Sequence, residues 1–361
     1  MRIVRLANFV TPSSGGLRTA LRELGKGYAR EGHEPVLIVP GPQHSDEFTE
    51  QGRVITVPGP LVPAMHGYRV ITRSAPVRRW LKELKPDRIE VSDRTTLRWT
   101  GKWARRNDVP SMMVSHESVD GLLGPAWDWL SGSLNRATAR QYDRIVCTTG
   151  WAAREFARIG ARNVTEVPLG VDLELFHPSN HDPFLRSTFA KPDELLLVCC
   201  TRLSVEKRPQ RALTTLAALR AIGVPAVLVM AGDGPLRTHL EAEAADLPVT
   251  FTGFLPDREY VAKLLATADM TIAPGPIETF GLAALEALAS GTPTVVSSSS
   301  ALPAVIAQAG AVVAGDDLSC GVLELLSLSE AKRRATARAR AELFGWGAAV
   351  SGFLAVHESL R

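Results

Sequence analysis

The feature of this sequence that most constrains its fold is an alternation of strand-length and helix-length patterns that runs through it twice. Apolar runs at Arg2–Val10 and Val36–Val39 flank a glycine-containing turn and a helical pattern with Leu17, Leu21 and Leu24 on one face. A strand, glycine turn, helix and strand in this order form a βαβ unit with a parallel sheet. Further units of the same kind follow, so the chain is predicted to be α/β.

The alternation is interrupted once, by the turn-rich segment Pro168–Asn180, and restarts at Leu195–Thr201. A chain of 361 residues is long enough for about two domains. We therefore predict two doubly wound, Rossmann-like lobes that face each other across a cleft, where such sheets bind ligands. The predicted boundaries are residues 1–175 and 176–345, with a short amphipathic helix at 346–361.

Charge is distributed unevenly between the two halves of the chain. The net charge is only +3, but residues 1–180 contain 25 Lys/Arg against 19 Asp/Glu, and the remainder contains 16 against 19. A basic half can bind an anionic membrane surface, nucleic acid or an acidic substrate, or it can serve solubility alone. The charge pattern leaves these alternatives open.

The remaining composition is that of an ordinary globular protein, with 45% hydrophobic and 22% charged residues. The four cysteines form no C-x-x-C pair, so we expect buried free thiols. The sequence begins in a strand pattern without a signal peptide, and no apolar run approaches the length of a membrane span. We expect a cytoplasmic protein that associates at most peripherally with the inner face of the plasma membrane.

The segment Pro274–Pro293 combines a Pro-Gly-Pro loop with a helical pattern, for which Thr279 is the expected N-cap and Phe280-Gly281 the first turn. Backbone N–H groups at a helix start favour a phosphate. The flanking carboxylates Glu278 and Glu286 would repel phosphate but can accept hydrogen bonds from sugar hydroxyls. The segment therefore indicates a nucleotide-sugar site, the alternative being an amphipathic helix with two solvated glutamates.

Two cations follow a strand of the same half. Arg202 and Lys207 lie after the run Leu195–Thr201, where a parallel sheet presents its ligand, and together they can neutralise a diphosphate. Gly15 and Gly16 allow close approach of a ligand to the backbone, yet neither G-x-G-x-x-G nor a P-loop is present. A dinucleotide site and ATP hydrolysis are therefore disfavoured.

Polar residues also follow two strands of the first half. His116 and Asp93 each come directly after a strand pattern, which places them at a ligand-binding edge, although a lone histidine is more often structural. The sequence has no His, Cys, Asp or Glu spacing that suggests a bound metal.

Six segments together carry a family resemblance. They are Ser14–Gly16, Val167–Asp172 with Phe176, Arg202 with Lys207, Gly232–Pro235, Phe251–Phe254 and Glu278–Glu286. In this order they resemble the retaining glycosyltransferases of family 4, which have the two-lobed GT-B fold, and they cover nearly the whole chain. Within that family the sequence is most similar to actinobacterial GDP-mannose-dependent alpha-mannosyltransferases that act on lipid acceptors.

The resemblance implies a role for each candidate residue. Arg202 and Lys207 would bind the donor diphosphate, Glu278 the donor sugar and Glu286 the ribose, with His116 near the transferring sugar. Backbone N–H groups at Gly15, Gly16, Phe280, Gly281 and Leu282 would also contact the diphosphate. Phe254 and Leu255 would lie by the base, and Asp93 would face the acceptor.

The resemblance also implies the reaction and the domain roles. Residues 1–175 would bind a lipid or glycolipid acceptor, 176–345 would bind the nucleotide sugar, and 346–361 would cross back to the first lobe. A hexose, best matched by mannose from GDP-mannose, would be transferred with retention, without a required cofactor or tightly bound metal and without nucleic acid. A phosphate oxygen of the donor can take the acceptor proton, which explains why no protein base stands out.

Three alternatives remain. A transferase of the same family that uses UDP-glucose or UDP-N-acetylglucosamine shares all these motifs. A two-lobed sugar-binding protein without enzymatic activity predicts an export signal and has no use for Arg202 and Lys207. A nucleotide-sugar epimerase needs acid and base carboxylates facing the sugar, and the sequence identifies none.

Overall fold

The computed structural model describes residues 1–10, 15–62, 67–116, 118–119 and 128–360. The described chain divides into two compact units. The first comprises residues 1–170 together with the terminal segment that begins at Trp346, and the second comprises Val171–Gly345. None of the helices in the described ranges is long and apolar enough to cross a bilayer.

The first unit is built on one sheet whose described strands are ordered β3-β4-β2-β1-β5-β6-β7-β8. Its strands are β1 Arg2–Leu6, β2 Glu34–Gly41, β3 Ser45–Thr49, β4 Gly52–Pro58, β5 Arg88–Val91, β6 Ser111–Ser115, β7 Arg144–Cys147 and β8 Val164–Glu166. Neighbouring strands are parallel except β3 and β4. The central strands are apolar and buried because helices cover both faces of such a sheet.

The described helices of the first unit have amphipathic sequences that bury their apolar faces against this sheet. They are α1 Gly16–Arg30, α2 Ser74–Leu84, α3 Trp99–Arg106, α4 Asp128–Ala139, α5 Gly150–Ala157 and the terminal α14 Trp346–Ser359. The terminal helix packs closely on α1, since a Cβ atom at Gly27 would meet Val350 Cγ2 at 2.2 Å. His357 of this helix also contacts the buried Glu90 at 3.2 Å.

The second unit contains a parallel sheet ordered β11-β10-β9-β12-β13-β14 among its described strands. The strands are β9 Leu195–Cys200, β10 Ala226–Ala231, β11 Val249–Gly253, β12 Met270–Ala273, β13 Thr294–Ser297 and β14 Gly310–Val313. The helices are α6 Pro183–Phe189, α7 Gln210–Ala221, α8 Arg237–Glu243, α9 Arg258–Thr267, α10 Leu282–Ala289, α11 Leu302–Ile306, α12 Ser319–Leu326 and α13 Glu330–Ala341.

Strand order reverses once in each sheet, which confirms the prediction of two doubly wound α/β lobes. In the first sheet β1 lies between β2 and β5, and in the second β9 lies between β10 and β12. The connections leave such a point in opposite directions, so a crevice forms beyond the carboxyl ends of the two central strands. Ligands of open α/β sheets bind there.

The antiparallel hairpin β3–β4 was not expected from the sequence. Its two strands are joined by Glu50 and Gln51, and Gly52 adopts a φ of 97° at the start of β4. A Cβ atom at Gly52 would lie 2.2 Å from the carbonyl oxygen of Pro35, so this glycine is required by a tertiary contact as well. The turn lacks the Asn-Gly or Asp-Gly pair that makes a hairpin recognisable.

Candidate active site

The candidate donor site lies at the reversal point of the second sheet. Strands β9 and β12 pair in parallel there, with Thr271 opposite Val198, so the loops that follow them lie side by side. The loop after β9 carries Arg202 and a 3-10 turn at Val205–Lys207. The loop after β12 carries Glu278 and leads into α10.

An ion pair joins these two loops. Lys207 Nζ lies 2.6 Å from Glu278 Oε1, and the two side chains are 24% and 23% exposed. Gly275 packs beside the pair, because its Cβ position lies 3.5 Å from Glu278 Oε1 and 3.5 Å from the Lys207 carbonyl oxygen. Partial burial makes the pair stronger than an exposed one. The structure thus brings together two residues that lie 71 positions apart in the sequence.

Arg211 fixes the start of the loop after β12, and it was not among the site residues predicted from the sequence. Its Nη1 donates to the Pro274 carbonyl oxygen at 3.1 Å and to Ser297 Oγ at 3.2 Å. Its Nε donates to Asp316 Oδ1 at 2.6 Å. In the sequence Arg211 is one more arginine of a helical pattern, and only the tertiary fold shows that it faces inward.

Helix α10 begins later than expected. Gly281 has a φ of 83°, and the helix starts at Leu282, so the assignment of Thr279 as N-cap and of Phe280 and Gly281 to the first turn is wrong. A Cβ atom at Gly281 would lie 2.1 Å from Leu302 Cδ2. The left-handed conformation and the packing against Leu302 both require glycine, and the helix can begin only after it.

The backbone amides at the start of α10 are the candidate phosphate site of this helix. The amides of Ala284 and Leu285 donate to the Gly281 carbonyl oxygen at 3.1 and 3.2 Å, which closes the first turn. The Phe280 side chain is buried edge-on against Phe344, with ring centroids 6.2 Å apart, and Leu282 is also buried. These two residues therefore present only backbone groups to a ligand.

Glu286 lies in the second turn of α10 and is buried. Arg258 Nη2 lies 2.8 Å from Glu286 Oε1. Arg258 is not recognisable as a site residue from the sequence, because it begins α9 in the segment Pro256-Asp257-Arg258 and resembles an ordinary surface cation there.

The loop between β11 and α9 carries the residues predicted to lie by the base. Phe254 is 45% exposed and Leu255 is half-buried. The preceding Gly253 has a φ of 72°, and a Cβ atom there would meet Arg237 Nη1 at 2.9 Å. An exposed aromatic ring beside a glycine turn offers a stacking surface to a planar base.

In the first unit, Gly15 and Gly16 lie at the start of α1, after β1, and both are exposed. Ser14, which the resemblance included, lies outside the described residues. A Cβ atom at Gly15 would meet no described atom within 4 Å, so packing does not demand glycine there.

His116 follows β6, at the carboxyl edge of the first sheet. The ring keeps some solvent contact but is closely surrounded, and the loss of hydration lowers its pKa to about 4 from 6.5. Glu90 acts in the opposite direction, whereas Arg5 and Arg94 add to the lowering. The imidazole is therefore neutral at pH 7, able to donate one hydrogen bond and to accept another.

The segment after His116 is held by a buried ion pair that sequence analysis also missed. Arg94 Nη1 lies 2.6 Å from Glu155 Oε1, and the backbone amide of Val119 donates to Glu155 Oε2 at 3.1 Å. Both charged side chains are almost fully buried. The neighbouring Glu117 and Asp120 lie outside the described residues.

Asp93 is buried and its carboxylate is used by its own loop. Oδ1 accepts a hydrogen bond from Thr95 Oγ1 at 2.6 Å, and Oδ2 accepts one from the Leu97 amide at 2.8 Å. These contacts give Asp93 a structural role, and its contact with the acceptor stays a prediction.

No cluster of three His, Cys, Asp or Glu side chains suited to a metal occurs among the residues that the structure describes.

Comparison with known proteins identifies relatives that match most of the chain. The chain is 49% identical to a GDP-mannose-dependent alpha-(1-6)-phosphatidylinositol dimannoside mannosyltransferase from Mycobacterium tuberculosis, over 98% of this chain and 95% of that protein. It is 28% identical to a GDP-mannose-dependent alpha-mannosyltransferase from the same species, over 82% of this chain and 78% of that protein.

Solved structures support the fold assignment. Sucrose-phosphate synthase from Thermosynechococcus elongatus superimposes with a TM-score of 0.80 at 20% identity, covering 99% of this chain and 98% of that one. WaaG, a glycosyltransferase involved in lipopolysaccharide biosynthesis, gives a TM-score of 0.73 at 18% identity, covering 99% and 100%. The predicted GT-B fold is thereby confirmed.

Two family models divide the chain between them. The model of Glycosyltransferase Family 4 matches residues 14–175, and the model of Glycosyl transferases group 1 matches residues 182–342. Together with the relative at 49% identity, these matches confirm the resemblance drawn from the sequence motifs. The chain belongs to glycosyltransferase family 4.

Proposed function

We propose that this enzyme transfers mannose from GDP-mannose, with retention, to a mannosylated phosphatidylinositol acceptor. The observation that carries the proposal is the Lys207–Glu278 pair at the reversal point of the second sheet, 2.6 Å between charged atoms. A cation beside a carboxylate matches a ligand in which a phosphate is bonded directly to a polyol. The 49% identical relative, a GDP-mannose-dependent phosphatidylinositol dimannoside mannosyltransferase, supports the choice of donor and acceptor.

The chemical step leaves a diphosphate whose negative charge must be stabilised. Arg202 and Lys207 would supply two fixed positive charges, and the amides before α10 would add hydrogen-bond donors at the positive end of the helix dipole. Groups already oriented towards developing charge lower the barrier without reorganisation at the moment of reaction. The charge stabilisation therefore comes from the protein's own residues.

The carboxylates would hold the sugars. Glu278 would accept hydrogen bonds from hydroxyls of the donor mannose, and Glu286 from the ribose hydroxyls. The neutral His116 would hydrogen-bond to the transferring sugar without adding positive charge near the anomeric carbon. A phosphate oxygen of the donor would accept the proton of the acceptor hydroxyl, so the reaction needs no protein base.

We also propose that the first unit contacts anionic membrane lipids through a basic face formed by α2 and α3. Arg78 of α2 stacks on Trp99 of α3, with its guanidinium 4.8 Å from the ring centroid, so the two helices are neighbours. The exposed cations on and next to these two helices, which define the proposed basic face, are Arg73, Arg78, Arg79, Lys82, Lys85, Lys102, Arg105 and Arg106. Each cation near an anionic surface contributes about 1 kcal/mol.

The test is a thermal-shift panel with GDP, UDP and ADP, followed by product analysis with the matching sugar donor. We expect GDP to raise the melting temperature most, since a ligand that binds only the folded state stabilises it by RT ln(1 + [L]/Kd). A larger shift with UDP, followed by transfer from a UDP-sugar, would instead establish the UDP-dependent alternative. A shift with free sugars but with no nucleotide would indicate a sugar-binding protein.

A further inference from the structure

Glu286 occupies an unusual position for a residue expected to hold a polar ligand. Its side chain is only 8% exposed and projects from α10, a helix whose sequence is otherwise alanine and leucine. An ionised carboxylate in such surroundings loses hydration and persists only with a compensating charge. The compensating charge comes from Arg258, at 2.8 Å.

The position of Arg258 at the N-terminus of a helix is electrostatically unfavourable. It is the first residue of α9, directly after Asp257, whose side chain caps the helix by accepting hydrogen bonds from the amides of Glu259 and Tyr260 at 2.9 and 3.3 Å. A cation at a helix N-terminus is disfavoured by the dipole. The position of Arg258 is therefore explained by its partner on α10 and not by its own helix.

The guanidinium group of Arg258 is held from a second side. It lies 4.8 Å from the centroid of the Phe176 ring, which is fully buried. Phe176 is fixed in turn by Arg338, whose Nη1 donates to the Phe176 carbonyl oxygen at 2.9 Å and to the Ala289 carbonyl oxygen, at the end of α10, at 2.8 Å. Stacking and the ion pair together leave the guanidinium group little freedom.

The pKa of Arg258 also indicates a tight ion pair with Glu286. Burial acts to lower the pKa of Arg258, but the charge and hydrogen bond of Glu286 outweigh it and raise that pKa above its ordinary value. The guanidinium group is therefore charged at neutral pH, and its contact at 2.8 Å holds the carboxylate in one orientation.

We infer that Arg258, stacked on Phe176, is a positioning residue that orients the Glu286 carboxylate for the ribose hydroxyls of the donor. The inference rests on the proposed function, in which Glu286 holds the ribose. It explains why Phe176, far from the donor loops in sequence, belongs to the family motif. Arg258 acts through Glu286 and touches no reacting atom.

The experiment measures binding of GDP and of 2′,3′-dideoxy-GDP by titration calorimetry to the wild type and to Arg258→Gln, Arg258→Lys and Glu286→Gln. The wild type should bind GDP about tenfold more tightly than the dideoxy nucleotide, the size expected for hydrogen bonds to a charged group. Arg258→Gln and Glu286→Gln should each lose about tenfold on GDP and less than twofold on the dideoxy nucleotide. Arg258→Lys should recover part of the loss, because the ammonium can make the contact with Glu286 but lacks the planar stacking on Phe176.

A matched control is Lys263→Gln, which removes an exposed cation from the same helix and should leave both affinities unchanged. Because Arg258→Gln removes a positive charge beside a buried carboxylate, the double variant Arg258→Gln/Glu286→Gln relieves the resulting folding defect. It should bind both nucleotides like Glu286→Gln alone. For GDP-mannose, Arg258→Gln should raise KM more than it lowers kcat.

The possible failures are distinguishable. If Arg258→Gln weakens GDP and the dideoxy nucleotide equally, or if Arg258→Lys does not recover binding, the positioning role is wrong while the proposed function stands. If the wild type binds the two nucleotides equally, Glu286 does not hold the ribose and the inference is also wrong. If the wild type binds no GDP, the proposed donor is wrong, and the inference with it.

Discussion

At the scale of single residues, a variant of the Lys207–Glu278 pair can test nucleotide binding separately from sugar transfer. Replacing Glu278 with Gln removes the carboxylate that is proposed to hold the mannose and releases Lys207 from its ion pair. We expect transfer from GDP-mannose to fall by about 10- to 150-fold, corresponding to about 1.5–3 kcal/mol for a charged hydrogen bond, while GDP binds as tightly as before or more tightly. Steady-state rates and calorimetry measure the two effects.

The control for this variant is Glu241→Gln, which removes a carboxylate from an exposed ion pair with Arg237, 2.8 Å long and also in the second unit. It should change neither quantity. Transfer by Glu278→Gln at the wild-type rate, or a matching loss of GDP affinity, would contradict the role assigned to Glu278.

The second residue-scale prediction concerns the pH dependence of stability at His116. Its folded-state pKa of about 4 lies below the ordinary value of 6.5, so between these pH values the unfolded state binds more protons. His116 should therefore make the free energy of unfolding fall as pH drops from 6.5 to 4, by up to about 1.4 kcal/mol per pH unit. Above pH 6.5 it should contribute no pH dependence.

Urea unfolding of the wild type and of His116→Gln at pH 7 and pH 5 isolates this contribution, because the other titrating groups are common to both proteins. The wild type should lose more stability than the variant over this range. Equal losses would show that the imidazole takes up its proton as easily in the folded state as in the unfolded one.

At the scale of secondary-structure elements, the start of α10 depends on Gly281. Alanine there must adopt a φ of 83°, and its Cβ would lie 2.1 Å from Leu302 Cδ2. We expect Gly281→Ala to destabilise the protein by about 1–3 kcal/mol and to weaken GDP binding, since the amides before α10 would shift. Thermal unfolding and calorimetry measure these changes.

Gly223 provides a matched comparison for this prediction. It has a φ of 82°, but a Cβ atom there would meet no described atom within 4 Å. Gly223→Ala should therefore show the backbone strain alone and leave GDP binding intact. If the two variants behave alike, the contact with Leu302 does not set the start of the helix.

The elements that could be predicted from the sequence are those with their own local signals. The strand expected at Leu195–Thr201 is observed at Leu195–Cys200, because a short apolar run is itself a strand signal. The hairpin at Ser45–Pro58 was missed, since its glycine is required by a contact with Pro35. The start of α10 was also predicted wrongly because of a tertiary contact. Gly281 packs against Leu302, which lies on another helix, and the local sequence does not show this contact.

The residues of the candidate site also divide into those with a local sequence signal and those that only tertiary contacts reveal. Lys207 and Glu278 could be placed in neighbouring loops from the rule that parallel strands present ligands at their carboxyl ends, and their ion pair agrees with that placement. Arg211 and Arg258 could not, because nothing in a helical pattern shows which arginine faces a loop carbonyl or a buried carboxylate. The residues that support the site are visible only after the chain has folded.

At the scale of the whole molecule, the uneven charge leads to a prediction about membranes. The protein should bind vesicles containing anionic lipid, and binding should weaken as salt rises from about 0.05 to about 0.5 M, because salt screens charges at the surface. Arg78→Gln/Lys82→Gln should bind more weakly by about 2 kcal/mol. Cosedimentation with vesicles measures the bound fraction.

The comparison for this variant is Lys263→Gln/Lys332→Gln, which removes two exposed cations from the second unit. It should bind vesicles like the wild type. If binding is absent or does not respond to salt, the basic face of α2 and α3 does not bind membranes in the proposed way.

The central claim is that the protein moves mannose from GDP-mannose to a lipid-linked acceptor with retention. The most direct measurement is proton NMR of the product formed from GDP-mannose and a phosphatidylinositol mannoside. We predict one new anomeric signal of an α-linked mannose, formed together with an equivalent of GDP. A β-linked product, or no product from GDP-mannose while a UDP-sugar is consumed, would contradict the account.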